Sequence, residues 1–280
     1  MKYILSLVLV IAFSPSLLAN PIKIMSYNIR YDNAGDGVNQ WGKRKDSLLH
    51  LIKASNPDVL CIQEALVNQM NDIQQALPNY AAVGVGRDDG KTKGEYAAIF
   101  YRTCQFKLIT KGQFWLSATP DSAGNLGWDA ACVRICTWAN LYDITTQQHL
   151  FVFNTHMDHV GVIARKKGAK LIRAKIEELA AKTPTLLCGD FNSEPGDSAY
   201  LSIVQPIKAA CNFSDTYKPS KTFNCTFTGF STASTECKRI DYIFYSSQFT
   251  CTAFAILNKN NGLYYPSDHQ AIVAVVQLKL

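Results

Sequence analysis

Beyond residue 13, the 280-residue sequence has no long hydrophobic run, and it contains no internal repeat or low-complexity tract. The apolar run at residues 4–13 is too short to span a bilayer, which takes about 20 residues. It follows Lys2 and precedes Leu17, Leu18 and Ala19, an arrangement typical of a secretory signal peptide. We therefore predict a signal peptide at residues 1–19, export to the periplasm or out of the cell, and no stable membrane anchor.

The nine cysteines do not include the two ligand pairs that a structural zinc site requires, because Cys132 and Cys136 have no second pair. Export permits disulfides, but the sequence alone does not settle which cysteines pair. Cys225 and Cys237 would close a short loop and are the first candidates. The net charge of +6 adds a mild preference for anionic partners.

Hydrophobic residues make up 48% of the chain and charged residues 18%, as in an ordinary globular protein with a large core. Apolar runs and apolar residues at helical spacing predict strands with a few interposed helices. The predicted strands are residues 22–27, 58–64, 80–85, 95–102, 134–142, 149–154, 185–188, 239–245 and 271–278. The predicted helices are residues 41–54, a helix marked by Met70, Ile73 and Leu77, and residues 162–181. No linker is visible, so we assign residues 20–280 to one domain with helices outside two packed sheets.

One stretch, residues 185–195, combines a buried strand with polar residues at its end. Gly189 marks a point where the backbone passes close to another group, and Asp190 and Asn192 follow it. Two residues apart in an extended chain, these two side chains would point to the same side. They could bind a hard cation, a water or a phosphate oxygen, or they could form an Asx-turn that closes the strand.

Polar residues recur at the ends of the other predicted strands. Each alone has a structural explanation, such as a cap, a turn or a core histidine with its hydrogen bonds satisfied. Together they predict a chemical site, because protein scaffolds hold chemistry on the loops at strand ends. The recurring residues are Asn28, Glu64, Asn154-Thr155-His156, Asp190, Asn192, Asp241, Asp268 and His269.

These residues lie in motifs that resemble those of the endonuclease/exonuclease/phosphatase superfamily, which includes DNase I. In family order the motifs are Met25-Ser26-Tyr27-Asn28, Ile62-Gln63-Glu64, Asn154-Thr155-His156-Met157-Asp158, Gly189-Asp190-Phe191-Asn192, Arg239-Ile240-Asp241-Tyr242-Ile243 and Ser267-Asp268-His269. The resemblance covers nearly all of the chain after residue 22. It implies an α/β fold, a four-layer sandwich in which two packed, mainly antiparallel β-sheets are flanked by helices.

The resemblance also implies a divalent-metal site. Glu64 would be the principal ligand, assisted by Asn28, and Asp268 matches a family position near the same ion. Ligands that offer only oxygen favour Mg²⁺ or Mn²⁺ over Zn²⁺.

The other motif residues have catalytic roles by the same resemblance. Asp190 would hold and help to deprotonate the attacking water, and Asn192 would donate to a phosphate oxygen. His269, with its tautomer fixed by Asp241, would act as a general base or stabilise the phosphate. His156 would contact the phosphate or the leaving oxygen.

Two further assignments rest on strand positions. Glu95 and Arg102 reproduce a family spacing in which the glutamate orients a histidine, here His156. Arg134, at a matching strand position, would touch a substrate phosphate or, alternatively, form a surface salt bridge.

A zinc site is the competing metal hypothesis. His156, Asp158 and His159 resemble half of the motif of metallo-β-lactamase-type hydrolases, which needs another histidine at the position of Asn154. We therefore interpret Asp158 and His159 as loop residues.

We predict a secreted, metal-dependent phosphodiesterase in which water attacks directly, since no residue of the pattern indicates a covalent intermediate. A nuclease is the first hypothesis, so nucleic acid is the expected partner, and we expect a monomer. One alternative is a phosphatase, sphingomyelinase or phospholipase C-type enzyme with the same site. The other is a non-catalytic binding module on this scaffold.

Overall fold

The computed structural model describes residues 20–206, 211–219, 224–233, 237–260, 262 and 264–279. The predicted signal peptide at residues 1–19 lies outside this part of the chain. Within the described residues, no helix has the length and apolar character needed to cross a membrane.

The described residues form twelve strands, four α-helices and one 3-10 helix. The strands are β1 (Ile22–Asn28), β2 (Val59–Ala65), β3 (Tyr80–Val83), β4 (Tyr96–Arg102), β5 (Phe106–Trp115), β6 (Ile135–Asp143), β7 (Gln148–His156), β8 (Thr185–Asp190), β9 (Phe213–Asp215), β10 (Asp241–Ser246), β11 (Phe249–Leu257) and β12 (Ala271–Leu278). The helices are α1 (Trp41–Ser55), α2 (Val67–Ala76), α3 (Val162–Leu179) and α4 (Ser198–Val204), with the 3-10 helix at Ala34–Asn39.

The strands form two mixed sheets of six. The first has the order β11-β12-β1-β2-β4-β3, and the second has the order β5-β6-β7-β8-β10-β9. Each sheet has one parallel pair, β1 with β2 and β7 with β8, and its other neighbouring strands are antiparallel. The predicted pair of mainly antiparallel sheets is confirmed.

The two sheets pack face to face around a core to which both contribute, for example through Ile24 and Val152. Helices cover the outer faces because their apolar residues recur at helical spacing. Leu48 and Ile52 of α1 pack on the first sheet, and Ile172 of α3 packs on the second. The result is the predicted four-layer sandwich, with two helical layers outside two sheets.

The sequence analysis missed β5, β9, β11 and α4. All three missed strands lie at sheet edges. In β5 and β11 most side chains are exposed or half-buried, so neither strand carries the continuous apolar run that marked the central strands. β9 has three residues and α4 has seven, which is too short for a periodic signal.

A buried polar bridge joins the two sheets. Gln63 of β2 donates from Nε2 to Oδ1 of Asn154 on β7 at 2.7 Å. Asn154 in turn donates to the carbonyl oxygens of Ile62 and Ala98, both at 2.8 Å, so its amide is held by the first sheet. Since Gln63 precedes Glu64 in the chain, this bridge fixes the spacing of the sheets beside the predicted site. Asn154 therefore has an inter-sheet role rather than a place among the reacting groups.

A disulfide supports the loop before β10. Cys225 and Cys237 are bonded, in agreement with the pair considered first from the sequence. Between them, the Thr226 hydroxyl accepts the N–H groups of Ile240 and Asp241 at 2.9 and 3.1 Å. The cross-link and this hydroxyl together hold the backbone that leads Asp241 into the site.

Candidate active site

The predicted site residues meet at one edge of the sandwich. The parallel pairs β1–β2 and β7–β8 both end at this edge, and their last residues include Asn28, Glu64, His156 and Asp190. The antiparallel strand β10 begins there with Asp241, and Asp268 and His269 immediately precede β12. Side chains that are up to 241 residues apart in the sequence thus come into contact.

Asp190 lies at the centre of this cluster and is almost completely buried. Its Oδ2 accepts a hydrogen bond from Nδ2 of Asn28 at 2.9 Å. The same oxygen lies 3.5 Å from Nε2 of His156 and 3.6 Å from Nε2 of His269. Burial and the nearby Asp241 carboxylate raise the pKa of Asp190, whereas the positive charge of His269 opposes that rise. A carboxylate in this setting is a stronger base than one in water.

His269 and Asp241 form a buried pair, with 2.9 Å between Nδ1 and Oδ2. Burial lowers the pKa of His269, but the negative charges of Asp241 and Asp190 outweigh burial and leave the pKa well above 6.5. The imidazole is therefore cationic near neutral pH. Its Nε2 faces Asp190, so the positive charge is directed into the cluster.

His156 has the opposite character. Burial and the positive charge of Arg134 lower its pKa to about 3, so the imidazole is neutral near pH 7. Its Nε2 accepts from Nδ2 of Asn192 at 3.1 Å. Its Nδ1 lies 3.6 Å from Oε2 of Glu95, but that oxygen is bonded to Arg87 at 2.6 Å. The structure brings Glu95 close to His156, as predicted, and adds a competing partner that sequence reasoning missed.

Asn192 does not continue β8 in extended geometry, contrary to our expectation. Its backbone φ is 45°, in the left-handed region that asparagine tolerates better than most residues. Its N–H donates to Oδ1 of Asp190 at 2.9 Å, which is the Asx-turn alternative. The Asx-turn is therefore part of the site, because the turn directs the Asn192 amide toward His156.

Gly189 is required by the approach of β8 to β7. A Cβ at this position would lie 2.2 Å from the carbonyl oxygen of Thr155. The close approach places Asp190 opposite His156 in the parallel register. The expectation of a tight backbone contact at Gly189 is confirmed.

Glu64, Asp190 and His269 each place one side-chain atom within 4.8 Å of the others. Because a cationic His269 has no lone pair for a metal, the two carboxylates are the members of this trio that could bind an ion. Asn28 lies between them, and its Nδ2 donates to Oε1 of Glu64 at 2.9 Å. Its Oδ1 accepts the N–H of Arg30 at 3.0 Å, so the amide oxygen faces the backbone rather than this trio. Asn28 thus spaces the two carboxylates, and its predicted ligand role stays a prediction.

Asp268 is buried at the rim of the same cluster. Its Oδ1 accepts from the Ser267 hydroxyl at 3.2 Å, and its Oδ2 lies 3.9 Å from Nε of Arg30. Burial raises the pKa of Asp268, and the cation of His269 opposes this rise. The negative charge of Glu64 raises the pKa of Asp268 further, so the two carboxylates lie near each other, as a shared cation would require.

Arg134 is buried rather than exposed, so the alternative of a surface salt bridge is wrong. Its Nε lies 3.5 Å from Oδ2 of Asp158, and its Nη1 lies 3.9 Å from Oε2 of Glu95. Its Nη2 donates to Nδ1 of His159 at 3.0 Å. The guanidinium lies next to His156, whose pKa it lowers, and its predicted contact with a substrate phosphate stays a prediction.

The structure also answers the zinc hypothesis. Cys132, Asp158 and His159 lie within 4.8 Å of one another, but Asp158 is already saturated. Its two oxygens accept N–H groups from 131, 132, 160 and 161 at 2.7 to 3.1 Å. His159 accepts from Arg134 at Nδ1, so a cation already lies beside this group and disfavours a second one. Asp158 is a buried loop organiser, as its interpretation as a loop residue implies.

Arg44 is a positioning residue that the sequence analysis missed. Although it lies on a helix, it is buried and donates to four carbonyl oxygens, those of Asn39, Ile29, Arg30 and Pro266, at 2.6 to 3.1 Å. It thereby ties the segment after Asn28 to the segment before His269. A single arginine on a helix gives no sequence signal for such a role.

A cavity of about 700 Å³ lies elsewhere, between α1 and the residues around Tyr264. None of the predicted site residues lines it. Its size therefore says nothing about the chemistry of the cluster around Asp190.

Comparison with known proteins identifies the family to which the chain is similar. The sequence model of the Endonuclease/Exonuclease/phosphatase family matches residues 25–269, from the first to the last of the site motifs. The chain belongs to this family. The characterised members among its relatives are phosphoester hydrolases and include both nucleases and phosphatases, so family membership alone does not specify a substrate.

Three relatives illustrate the range of the Endonuclease/Exonuclease/phosphatase family. A family member from Bacteroides vulgatus is 38% identical with a TM-score of 0.88, over 93% of this chain and all of that chain. A mannosyl-6-phosphatase from Bacteroides thetaiotaomicron is 35% identical with a TM-score of 0.82, over 91% of this chain and 99% of that chain. A "Probable RNA exonuclease" from Saccharomyces cerevisiae is 31% identical over 72% of this chain, which spans only 45% of that relative's length.

Proposed function

We propose that this protein is a secreted, divalent-metal-dependent phosphoester hydrolase in which water attacks the phosphorus directly. The observation that carries the proposal is the surrounding of Asp190 Oδ2. One amide and two imidazole nitrogens lie within 3.6 Å of this buried oxygen. Family membership supplies the reaction class, and this cluster supplies the groups that the reaction needs.

The donor set fits a hard divalent cation. Glu64 and Asp190 place carboxylate oxygens within 4.8 Å of each other, so one ion could bind both, and Asp268 adds a further carboxylate nearby. Glu64 would be the main ligand, with Asp268 supporting it. Mg²⁺ or Mn²⁺ bound there would polarise the phosphoryl oxygen and offset the charge that builds up during displacement.

The protein's own groups divide the remaining work. Asp190, with its raised pKa, would orient the attacking water and accept its proton. His269, kept cationic by Asp241, would hold a phosphate oxygen by charge and hydrogen bond. Neutral His156 and the Asn192 amide would contact the phosphate from the opposite side. Glu95, freed from Arg87, would orient His156, and Arg134 would add positive charge nearby.

A phosphomonoester of a sugar is the substrate class that we favour. The mannosyl-6-phosphatase matches this chain over nearly the whole length of both proteins, at 35% identity. The sequence analysis put a nuclease first, and that hypothesis stays open because of the 31% identity to the yeast relative. That match, however, covers less than half of the relative's length.

A matched substrate panel distinguishes these classes. We would compare kcat/KM for mannose 6-phosphate and glucose 6-phosphate with that for a single-stranded RNA oligonucleotide, all with Mg²⁺. We expect at least a tenfold preference for a sugar phosphate over RNA. A preference for RNA would instead support the nuclease, and inactivity toward every phosphoester would support a binding module.

The proposal of export rests on residues 1–19 and is consistent with the Cys225–Cys237 disulfide, because disulfides persist mainly in oxidising compartments. Mass spectrometry of protein from the native host should find a chain that begins near Asn20. An intact Met1 in a cytosolic fraction would contradict export.

A further inference from the structure

Large apolar side chains are exposed at the start of α3. Leu126, Val160, Val162 and Ile163 are 56%, 60%, 59% and 53% exposed. The described part of the chain exposes ten large apolar side chains, and these are four of the ten. Scattered exposed apolar residues need no explanation, but a contiguous group usually marks an interaction surface.

Hydrogen bonds place the loop that contains Leu126 beside the first turn of α3, where Val162 and Ile163 lie. The Asp129 carboxylate accepts the N–H groups of Ile163 and Ala164 at 3.1 and 2.6 Å. These bonds hold the segment with Leu126 against the first turn of α3. A contact between Lys167 and the ring of Trp128, at 5.6 Å from the centroid, joins the same two segments one turn later.

The exposed face of α3 turns basic directly behind these apolar residues. Lys166, Lys167 and Lys170 are exposed, and they follow Val162 by about 6 to 12 Å along the helix at 1.5 Å per residue. The acidic group that faces this turn is Asp129, and its carboxylate is engaged by two backbone N–H groups. The surface therefore combines exposed apolar residues with exposed positive charge one to two turns further along α3.

This surface adjoins the candidate active site. Val160 follows His156, the last residue of β7, by four positions. Arg165 donates from Nη1 to the carbonyl oxygen of Asp158 at 3.0 Å, which holds α3 against the loop that joins β7 to α3. A partner that covers the surface would therefore lie at the rim of the site.

We propose that Leu126, Val160, Val162, Ile163, Lys166 and Lys170, here named the α3 tip surface, dock reversibly on an anionic lipid surface. Apolar groups at an interface insert about 5–10 Å, and lysines 6 to 12 Å behind the tip then reach the phosphate groups. Aliphatic side chains favour lipid over single-stranded nucleic acid, which is bound chiefly by stacking on exposed aromatic rings. The α3 tip surface exposes aliphatic residues, while its neighbour Trp128 is half-buried under Lys167. The inference does not depend on the reaction that the site performs.

Vesicle co-sedimentation tests the proposal with a matched pair of triple variants. The test variant is Ile163→Gln, Lys166→Gln, Lys170→Gln. The control is Lys107→Gln, Ile109→Gln, Lys111→Gln, which removes the same residue types from exposed positions on β5. All proteins begin at Asn20, where the exported chain is proposed to begin, so the apolar run at residues 4–13 does not contribute to vesicle binding.

We expect binding to vesicles of phosphatidylcholine with 30% phosphatidylserine, and much weaker binding to phosphatidylcholine alone. The test variant should bind about thirtyfold more weakly, since each lysine near an anionic surface contributes about a fivefold factor. The control should bind like the unmodified protein. A second variant, Val162→Gln, Ile163→Gln, should also bind more weakly, although it keeps every charge.

Three results would overturn the proposal. The first is the absence of binding to anionic vesicles, and the second is equal binding by the test and control variants. The third is loss of oligonucleotide binding in the test variant without a change in vesicle binding, which would assign the surface to nucleic acid. Circular dichroism and thermal melts of each variant establish that the changes leave the fold intact.

Discussion

The pair of His269 and Asp241 offers the sharpest test of the assigned site. We consider Asp241→Asn, which preserves the shape of the side chain and removes its charge. The amide can no longer hold the positive imidazole across the 2.9 Å contact, and it can stabilise the wrong tautomer. His269 would then lose its proton near neutral pH, along with its charge toward the phosphate.

The magnitude follows from the burial of the pair, since both residues are at least 95% buried. Breaking a buried ion pair by removing one partner costs about 3–5 kcal/mol. That figure is a loss of stability; for kcat we expect a loss of about 10² to 10⁴-fold, since Asn in place of the Asp of a comparable Asp–His pair lowers kcat by about 10⁴-fold. KM should change far less than kcat, because the interaction strengthens as charge develops on the phosphate.

The assay is steady-state kinetics on Asp241→Asn, His269→Ala and the double variant, with urea denaturation of each. The double variant should be no slower than His269→Ala, because the two groups act as one unit. His149→Ala is the control, since His149 is exposed at the far end of β7 and its ring forms a hydrogen bond with Asn140, outside the site. His159 would be a poor control, although it is a loop residue, because it contacts Arg134.

Two results would refute the reasoning. One is an Asp241→Asn protein that folds and keeps more than a third of the unmodified kcat. The other is a pair of single variants whose effects on kcat multiply in the double variant, since independent action excludes a coupled pair.

Two further predictions concern stability, measured by urea denaturation. Gly189→Ala should lower the free energy of unfolding by about 1–3 kcal/mol or more, because its Cβ would meet the Thr155 carbonyl oxygen. Gly42→Ala, in open space on α1, should raise it by up to about 1 kcal/mol, and equal effects of the two changes would exclude the close approach at Gly189. Burial raises the pKa of Asp158, but four backbone N–H groups outweigh burial and hold it well below 3.8. Its stabilisation is therefore complete above its unfolded pKa of about 3.9 and declines only as the pH falls further. Asp158→Asn should be less stable by about 1.5–3 kcal/mol from pH 7 to 5, and a difference in stability that disappears within that range would contradict this assignment.

The parts that the sequence predicted share a physical origin. Central strands are buried on both faces, so their apolar runs are continuous, and a polar residue at their end stands out. Asp190 and Glu64 were visible for this reason. The edge strands β5 and β11 were not visible, because one side faces solvent and their apolar residues are interrupted, and β9 was too short to give a pattern.

Other features depend on three-dimensional contacts that no local pattern encodes. Arg44 lies on a helix, where an arginine is usually exposed, yet it donates to the carbonyl oxygen of Pro266, which is 222 residues further along the chain. The capture of Glu95 by Arg87 needs a loop that folds back on β4. The orientation of the Asn28 amide is set by the Arg30 N–H and two carboxylates together. Each needs the folded chain before it can be inferred.

The most direct test of the central claim is phosphoester hydrolysis with and without a chelator. We expect activity to disappear in EDTA and to return with Mg²⁺ or Mn²⁺. Glu64→Gln should need at least tenfold more metal for half-maximal activity, whereas Glu178→Gln, exposed on α3, should not. Full activity in EDTA, or a Glu64→Gln protein with an unchanged metal requirement, would contradict the account of this site.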